Sequence, residues 1–285
     1  MSRFKGVMAA ILLISAILVI NVLQTSSLVL KPFSKKIFRK FNRGCANIWW
    51  GWCDLWADKI CGIKIITTGD KLPLRENSIV VLNHQRMVDI PVIFRLARAK
   101  DRLGDLKWFV KDILKYLPGI GWGMLFLDCL FVKRNWLADQ AYIHKTFENI
   151  NQNHIPCWLM TFAEGTRFTP AKKERCHKFA LERGHKPLHH VLIPRTKGFV
   201  VSVMSLKGHV KAVYDFTIGY TNHHLPTVWQ WFKGEVKSVH LHVRRFSIDD
   251  LPVGEEALSK WLIQLFGEKD ELLAGFYKNG FFPST

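Results

Sequence analysis

Two short runs in this 285-residue chain combine residue types that chemistry needs. The first is Asn83-His84-Gln85-Arg86-Met87-Val88-Asp89, directly after the apolar, β-branched run Ser78–Leu82. On a regular helix a five-residue separation turns about 500°, leaving His84 and Asp89 roughly 140° apart and unable to meet. The pair therefore needs a loop, with His84 on the turn leaving a strand and Asp89 in the first turn of the next helix. There the carboxylate can accept a hydrogen bond from the imidazole, fix its tautomer and stabilise the imidazolium, which makes a general base near neutral pH. A bare His-x4-Asp is also a common structural contact. The second run is Thr161-Phe162-Ala163-Glu164-Gly165-Thr166-Arg167-Phe168, again after an apolar stretch, 157–160. Gly165 lets backbone approach a ligand closely, Thr166 offers a hydroxyl and Arg167 a planar fork matched to phosphate oxygens. Glu164 is placed to anchor either Arg167 or nearby backbone amides. On its own this run also reads as a helix-capping turn with an ion pair.

The elements that must position these runs alternate along the chain. Strands are predicted at 63–68, 78–82, 107–110, 129–133, 157–162, 190–193, 212–218 and 236–246. The last alternates cleanly, with Val239, Leu241 and Val243 facing one way and Ser238, His240, His242 and Arg244 the other. Helical spacing falls at 90–99, 137–152, 198–206 and 255–276. The expectation for residues 63–285 is an α/β domain with a mixed, largely buried sheet flanked by helices.

Residues 7–30 carry no charge and are long enough at about 1.5 Å per residue to cross roughly 30 Å of hydrocarbon. Residues 1–31 are therefore expected to form a membrane helix, with a cleaved signal peptide as the competing reading. From 32 to 62, Phe33, Ile37, Phe38, Phe41, Cys45, Ile48, Trp49, Trp52, Leu55, Trp56 and Ile60 recur at steps of three and four with basic residues between them. This predicts an amphipathic helix for the bilayer interface, or one packed on the protein's own core. Six basic residues after the apolar stretch against two before it place the bulk of the chain on the cytoplasmic side.

Lys and Arg number 41 against 23 Asp and Glu, a net charge of +18. Of this, +7 lies in residues 1–62 and +7 in 165–200, while 201–285 is neutral and reads as scaffold. Such a field favours anionic membrane lipids or a phosphorylated substrate. Nucleic acid is not expected, since no groove-reading motif accompanies the charge. The six cysteines form no C-x-x-C pair or compact framework, which excludes a disulfide scaffold and points to reduced thiols. His189-His190, His223-His224 and His240/His242 lack carboxylate or thiolate partners at ligand spacing, so no metal is expected.

The two runs in this order, with Lys111-Asp112-Ile113-Leu114-Lys115-Tyr116-Leu117-Pro118-Gly119-Ile120-Gly121-Trp122 and Phe131-Val132-Lys133-Arg134 between them and Leu192-Ile193-Pro194-Arg195-Thr196-Lys197-Gly198 after them, resemble the glycerolipid acyltransferase family of the 1-acylglycerol-3-phosphate acyltransferase type. The wording of the blocks is similar to the branch of lysophosphatidate, lysocardiolipin and lysophosphatidylinositol acyltransferases. The resemblance implies an O-acyltransferase forming phosphatidic acid, with His84 as base oriented by Asp89. It implies Lys111, Lys133, Arg134, Glu164, Gly165, Thr166, Arg167, Arg195 and Lys197 as acceptor-binding residues. It implies a lysophospholipid acceptor, acyl-CoA or acyl carrier protein as co-substrate, and no further cofactor. No cysteine lies in the His84 or Glu164 run, in keeping with direct transfer. Some members of that branch carry further membrane helices after the catalytic domain; the shorter chain here leads to the expectation of a bacterial inner membrane.

Overall fold

A computed structural model describes residues 2–283 except 134, 183, 185 and 222–224. Seven strands, β1 (Lys64–Gly69), β2 (Ser78–Leu82), β3 (Leu106–Lys111), β4 (Leu130–Val132), β5 (Trp158–Thr161), β6 (Ala212–Gly219) and β7 (Ser238–Ser247), form one sheet in the order β1-β7-β6-β2-β5-β3-β4. The run β6-β2-β5-β3-β4 is parallel throughout, and β7 turns antiparallel to β6 while pairing parallel with β1. Parallel strands put their C-terminal ends on one edge, so the loops after β6, β2, β5, β3 and β4 all leave from that edge.

Both faces of the sheet are covered, which is why its central strands read as continuous apolar runs. Val80 and Leu82 of β2 point into a core shared with α1 (Ser2–Ser26), α2 (Lys35–Leu55) and α3 (Asp89–Ala99). Ile79 and Val81 point into a second core built with α5 (Trp136–Gln152), α7 (Thr196–Leu206) and α9 (Glu255–Asn279). The short α4 (Ile120–Leu125) and α8 (Val228–Lys233) pack against α1, and α6 (Pro170–Glu182) follows the second run. Only Ala180 of α6 is buried, so the helix carries almost no apolar periodicity to be read from sequence.

The N-terminal helix is long and apolar enough to cross a membrane. One of its stripes, Ala9, Leu13, Ile17 and Ile20, is nevertheless buried in the same core as one face of the sheet, and Trp49 Nε1 donates to Leu13 O at 3.0 Å. Its other faces, including Ile11, Ile14, Val19 and Val22, are exposed. The following helix is packed on the protein's own core along one side and exposed along the other: Phe38, Cys45, Trp49 and Trp50 are buried, whereas Phe33, Ile37, Phe41, Ile48 and Trp52 face outward.

One predicted strand is absent. Residues 190–193 form an irregular segment, because five consecutive backbone N–H groups are taken by side chains instead of a neighbouring strand. Asp270 accepts from His189, His190 and Val191, Glu164 accepts from Leu192, and Cys176 Sγ accepts from Ile193. The β-branched Val191 and Ile193 gave the strand signal, but the ladder donors are already spent.

Candidate active site

The strand β2 ends where Asn83 replaces the ladder with its side chain: Nδ2 donates to Ile218 O at 3.0 Å and Oδ1 accepts from Ile218 N at 2.8 Å. This fastens the start of the following loop to β6 and sets His84 at the sheet edge. Asp89 opens α3, fully buried, and its Oδ2 accepts from Gln85 N at 2.7 Å, Arg86 N at 2.8 Å and His84 Nδ1 at 2.9 Å. Its Oδ1 accepts from the Tyr220 hydroxyl at 2.6 Å. Burial, with Asp89 beside it, holds that hydroxyl well above the ordinary tyrosine range, so it stays a donor. Because a carboxylate only accepts, the proton of a neutral His84 sits on Nδ1 and the lone pair on Nε2. Among the described residues nothing bonds Nε2. The imidazole is stacked on Phe162 with ring centroids 4.0 Å apart and 22° between planes, and Phe162 stacks in turn on Trp108 at 5.8 Å.

Glu164 ties the second run to the first. Its Oε1 accepts from His84 N at 2.6 Å and its Oε2 from Leu192 N at 3.0 Å, and only 3% of the residue is exposed. Burial pushes its carboxyl up to about 8, with Asp89 adding to the rise and the two amide donors opposing it. Of the two anchoring roles open to it, Glu164 takes the backbone amides and not Arg167. Phe168 N donates to His84 O at 2.7 Å and closes the link from the other side.

The remaining expected residues divide. Gly165 has φ of +67°, the left-handed region that glycine adopts without strain, and the Arg195 side chain lies directly over it. Arg195 N donates to Ala163 O at 2.7 Å, which brings the 194–198 block to the second run. Thr166 Oγ1 accepts from Lys172 Nζ at 2.5 Å, and Lys172 also donates to Arg167 O at 3.1 Å. Arg167 and Arg195 are exposed and have no carboxylate partner among the described residues. Lys111 ends β3 in register with Val132 of β4, so Lys111 and Lys133 sit on the same sheet edge as His84. Lys197 stands 5.9 Å over the Trp136 ring. Arg134 and the pair His223-His224 lie outside the described residues.

Sequence reasoning missed Tyr220 and Asp270. Tyr220 follows the fully buried strand β6 as His84 follows β2, and its link to Asp89 arises from the pairing of those two strands. Asp270 and its neighbour Lys269 are buried charges on the apolar stripe Leu262, Leu265, Phe266 and Leu273 of α9, an interruption visible in the sequence. Lys269 Nζ bonds Asp215, Phe216 O and Thr217 and pins α9 to β6.

A histidine held by a buried aspartate thus stands at the C-terminal edge of a mixed sheet, with exposed cations on the same edge. A family model described as Acyltransferase matches residues 64–221, and one described as Acyltransferase C-terminus matches 230–285. The probable 1-acyl-sn-glycerol-3-phosphate acyltransferase 5 of Arabidopsis thaliana is 36% identical over 263 residues, covering 91% of this chain and 69% of that protein. The human 1-acyl-sn-glycerol-3-phosphate acyltransferase delta is 33% identical, covering 94% and 72%. The crystal structure of the 1-acyl-sn-glycerophosphate acyltransferase from Thermotoga maritima superposes with a TM-score of 0.56 over 96% of this chain and 95% of that one at 17% identity, a likeness of fold. The chain belongs to the glycerolipid acyltransferase family, of the 1-acylglycerol-3-phosphate acyltransferase type.

Proposed function

We propose that this protein is a membrane-bound enzyme that transfers a fatty acyl group from an acyl thioester, on coenzyme A or acyl carrier protein, to the free hydroxyl of 1-acyl-sn-glycerol-3-phosphate. The observation that carries the reading is the His84 Nδ1 to Asp89 Oδ2 bond of 2.9 Å, with Nε2 left unbonded among the described residues. The names of the similar proteins support the acceptor.

His84 Nε2 removes the hydroxyl proton as the oxygen attacks the thioester carbonyl carbon, and Asp89 stabilises the imidazolium that forms. Collapse of the tetrahedral adduct breaks the C–S bond, and the imidazolium returns its proton to the departing sulfur. Ester and free thiol result, with no acyl-enzyme. Arg167 and Arg195, with Lys111, Lys133 and Lys197 at the same edge, are the cations for the acceptor's phosphate. The exposed apolar faces of α1 and α2 enter the bilayer from the cytoplasmic side, where the basic residues 31–43 meet the headgroups.

The test is release of free coenzyme A thiol from acyl-CoA with lysophosphatidate, for wild type and His84→Ala side by side. Turnover by wild type and a loss of roughly 10²–10⁴-fold in the variant, with vesicle binding unchanged, is the expected result. Near-normal turnover by His84→Ala removes the histidine mechanism, and vesicle binding with no turnover by either form points to a non-catalytic lipid binder or, if acyl carrier protein restores turnover, to that donor. Competition with lysophosphatidylinositol, lysocardiolipin and lysophosphatidylglycerol checks the acceptor.

A further inference from the structure

A cavity of about 490 Å³ lies at the elbow between α1 and α2, where that hairpin meets the end of α4 and the C-terminal part of α5. Its cationic wall is Lys31, Lys35 and Arg39; its apolar wall includes Leu28, Phe38 and Leu125. Arg39 is fixed there, with Nη2 donating to Asn149 Oδ1 at 3.0 Å and Nε 3.4 Å from Asp128 Oδ2, so the one carboxylate in the lining is already paired. Lys31 Nζ stands 5.6 Å over the Phe38 ring, and neither Lys31 nor Lys35 has a carboxylate partner among the described residues. Two uncommitted ammonium groups beside a fixed guanidinium make a wall for an anion.

The cavity opens on the apolar side of the molecule. Leu28 and Leu125 at its rim are 43% and 46% exposed, and they continue into the outward faces of α1 and α2. The catalytic edge is elsewhere: Asn149 at the cavity and Trp136 under Lys197 are separated along α5 by about 20 Å. Nothing in the transfer chemistry uses these residues. A site whose cationic wall stands beside exposed aliphatic side chains matches an amphiphile whose head is anionic, and a volume of this size suits a phosphate headgroup with the first carbons of its chains.

We propose that this cavity binds the headgroup phosphate of one anionic phospholipid of the surrounding bilayer, a lipid that is neither acceptor nor product. The proposal rests on the membrane-bound reading given above. The phosphate lies between Lys31, Lys35 and the outward edge of Arg39, and the acyl chains leave over Leu28 and Leu125. One lipid held at the elbow fixes the hairpin against α5 and so sets the tilt of the catalytic edge relative to the bilayer.

The experiment uses the full chain in neutral detergent, titrated with dihexanoyl phosphatidylglycerol, with dihexanoyl phosphatidylcholine and with inorganic phosphate, by calorimetry. Saturable one-to-one binding of the phosphatidylglycerol is expected, with the other two at least about tenfold weaker. The substitutions Lys31→Gln and Lys35→Gln should together weaken it by about tenfold or more, whereas Lys36→Gln with Lys40→Gln, equal in charge but outside the lining, should leave it unchanged. Thermal unfolding of both double variants at the wild-type midpoint shows that the elbow is intact. No binding, equal binding of phosphatidylcholine or inorganic phosphate, or undiminished binding by the Lys31→Gln/Lys35→Gln form overturns the site. Flotation with phosphatidylcholine vesicles separates the two claims: a protein that floats yet fails the titration loses this site and keeps its membrane association, and one that does not float loses both.

Discussion

Asp270 and Glu164 hold one segment from two directions. Asp270, on α9, accepts from the N–H groups of His189, His190 and Val191 at 2.6 to 3.2 Å, and Glu164 accepts from the next residue, Leu192, at 3.0 Å. Since the other oxygen of Glu164 receives His84 N at 2.6 Å, hydrogen bonds and the intervening 189–192 backbone link the C-terminal helix to the backbone of His84. The 189–193 segment has no ladder of its own, so these side chains are what define its course and deliver Arg195 to Gly165.

Asp270→Ala leaves three N–H groups without their acceptor. We expect a loss of roughly 3 kcal/mol of stability, read as a lower urea midpoint in detergent. In protein that remains folded, kcat should fall about tenfold with a smaller change in KM, because the base is displaced while the cations remain. Wild-type kcat in a folded Asp270→Ala protein would show that the link does not reach His84.

Glu164 gives the fold a pH dependence. Its carboxyl is held up to about 8 in the folded chain against an ordinary value of 4.5, with burial as the main cause. Between those values the folded state keeps a proton that the unfolded state has released, so its contribution to stability is complete below 4.5, declines as pH rises and is gone above about 8. The slope is about −1.4 kcal/mol per pH unit within that window. Glu164→Gln abolishes this slope. Denaturation series for both proteins across the window should converge in stability, or cross, as pH rises; parallel curves would show that Glu164 does not titrate there.

Much of the active edge could be read in advance for a physical reason. Strands buried on both faces appear as short apolar runs, and β2 and β5 announced themselves so, each with its chemistry at the C-terminal end. The loop geometry demanded by the five-residue spacing of His84 and Asp89 is the one found, with Asp89 opening α3. What stayed illegible depends on partners remote in sequence. Whether Glu164 anchors Arg167 or backbone turns on Leu192, and whether 190–193 pairs as a strand turns on Asp270, about 80 residues onward. Local pattern carries no information on such captures. Tyr220 is of the same kind: its role exists only because β6 lies beside β2.

The Tyr220 hydroxyl donates to Asp89 Oδ1 at 2.6 Å in a wholly buried setting. Tyr220→Phe keeps the ring and removes the donor, leaving one oxygen of a buried carboxylate unsatisfied. The fold should tolerate it, since the ring still packs. We expect kcat to fall about tenfold and KM for lysophosphatidate to stay within about twofold, because Asp89 acts on the base and not on the phosphate. A KM effect without a kcat effect would assign Tyr220 to the acceptor pocket instead.

Gly165 and Arg195 make the sharpest test of the cationic rim. A Cβ on Gly165 would lie 3.0 Å from Arg195 Cδ and 3.1 Å from its Nε, and φ of +67° adds about 1–2 kcal/mol of strain for any L side chain. Arg195 is exposed and flexible, so Gly165→Ala pushes its guanidinium aside without disturbing the His84–Asp89 pair. KM for lysophosphatidate should rise several-fold at nearly constant kcat, and Arg195→Ala alone should raise it by roughly tenfold or more. If the glycine acts by making room for the arginine, the double variant is no worse than Arg195→Ala, a large departure from additivity. Independent, multiplying effects on KM would mean that Gly165 serves backbone approach to the substrate directly and that Arg195 reaches the phosphate by another route.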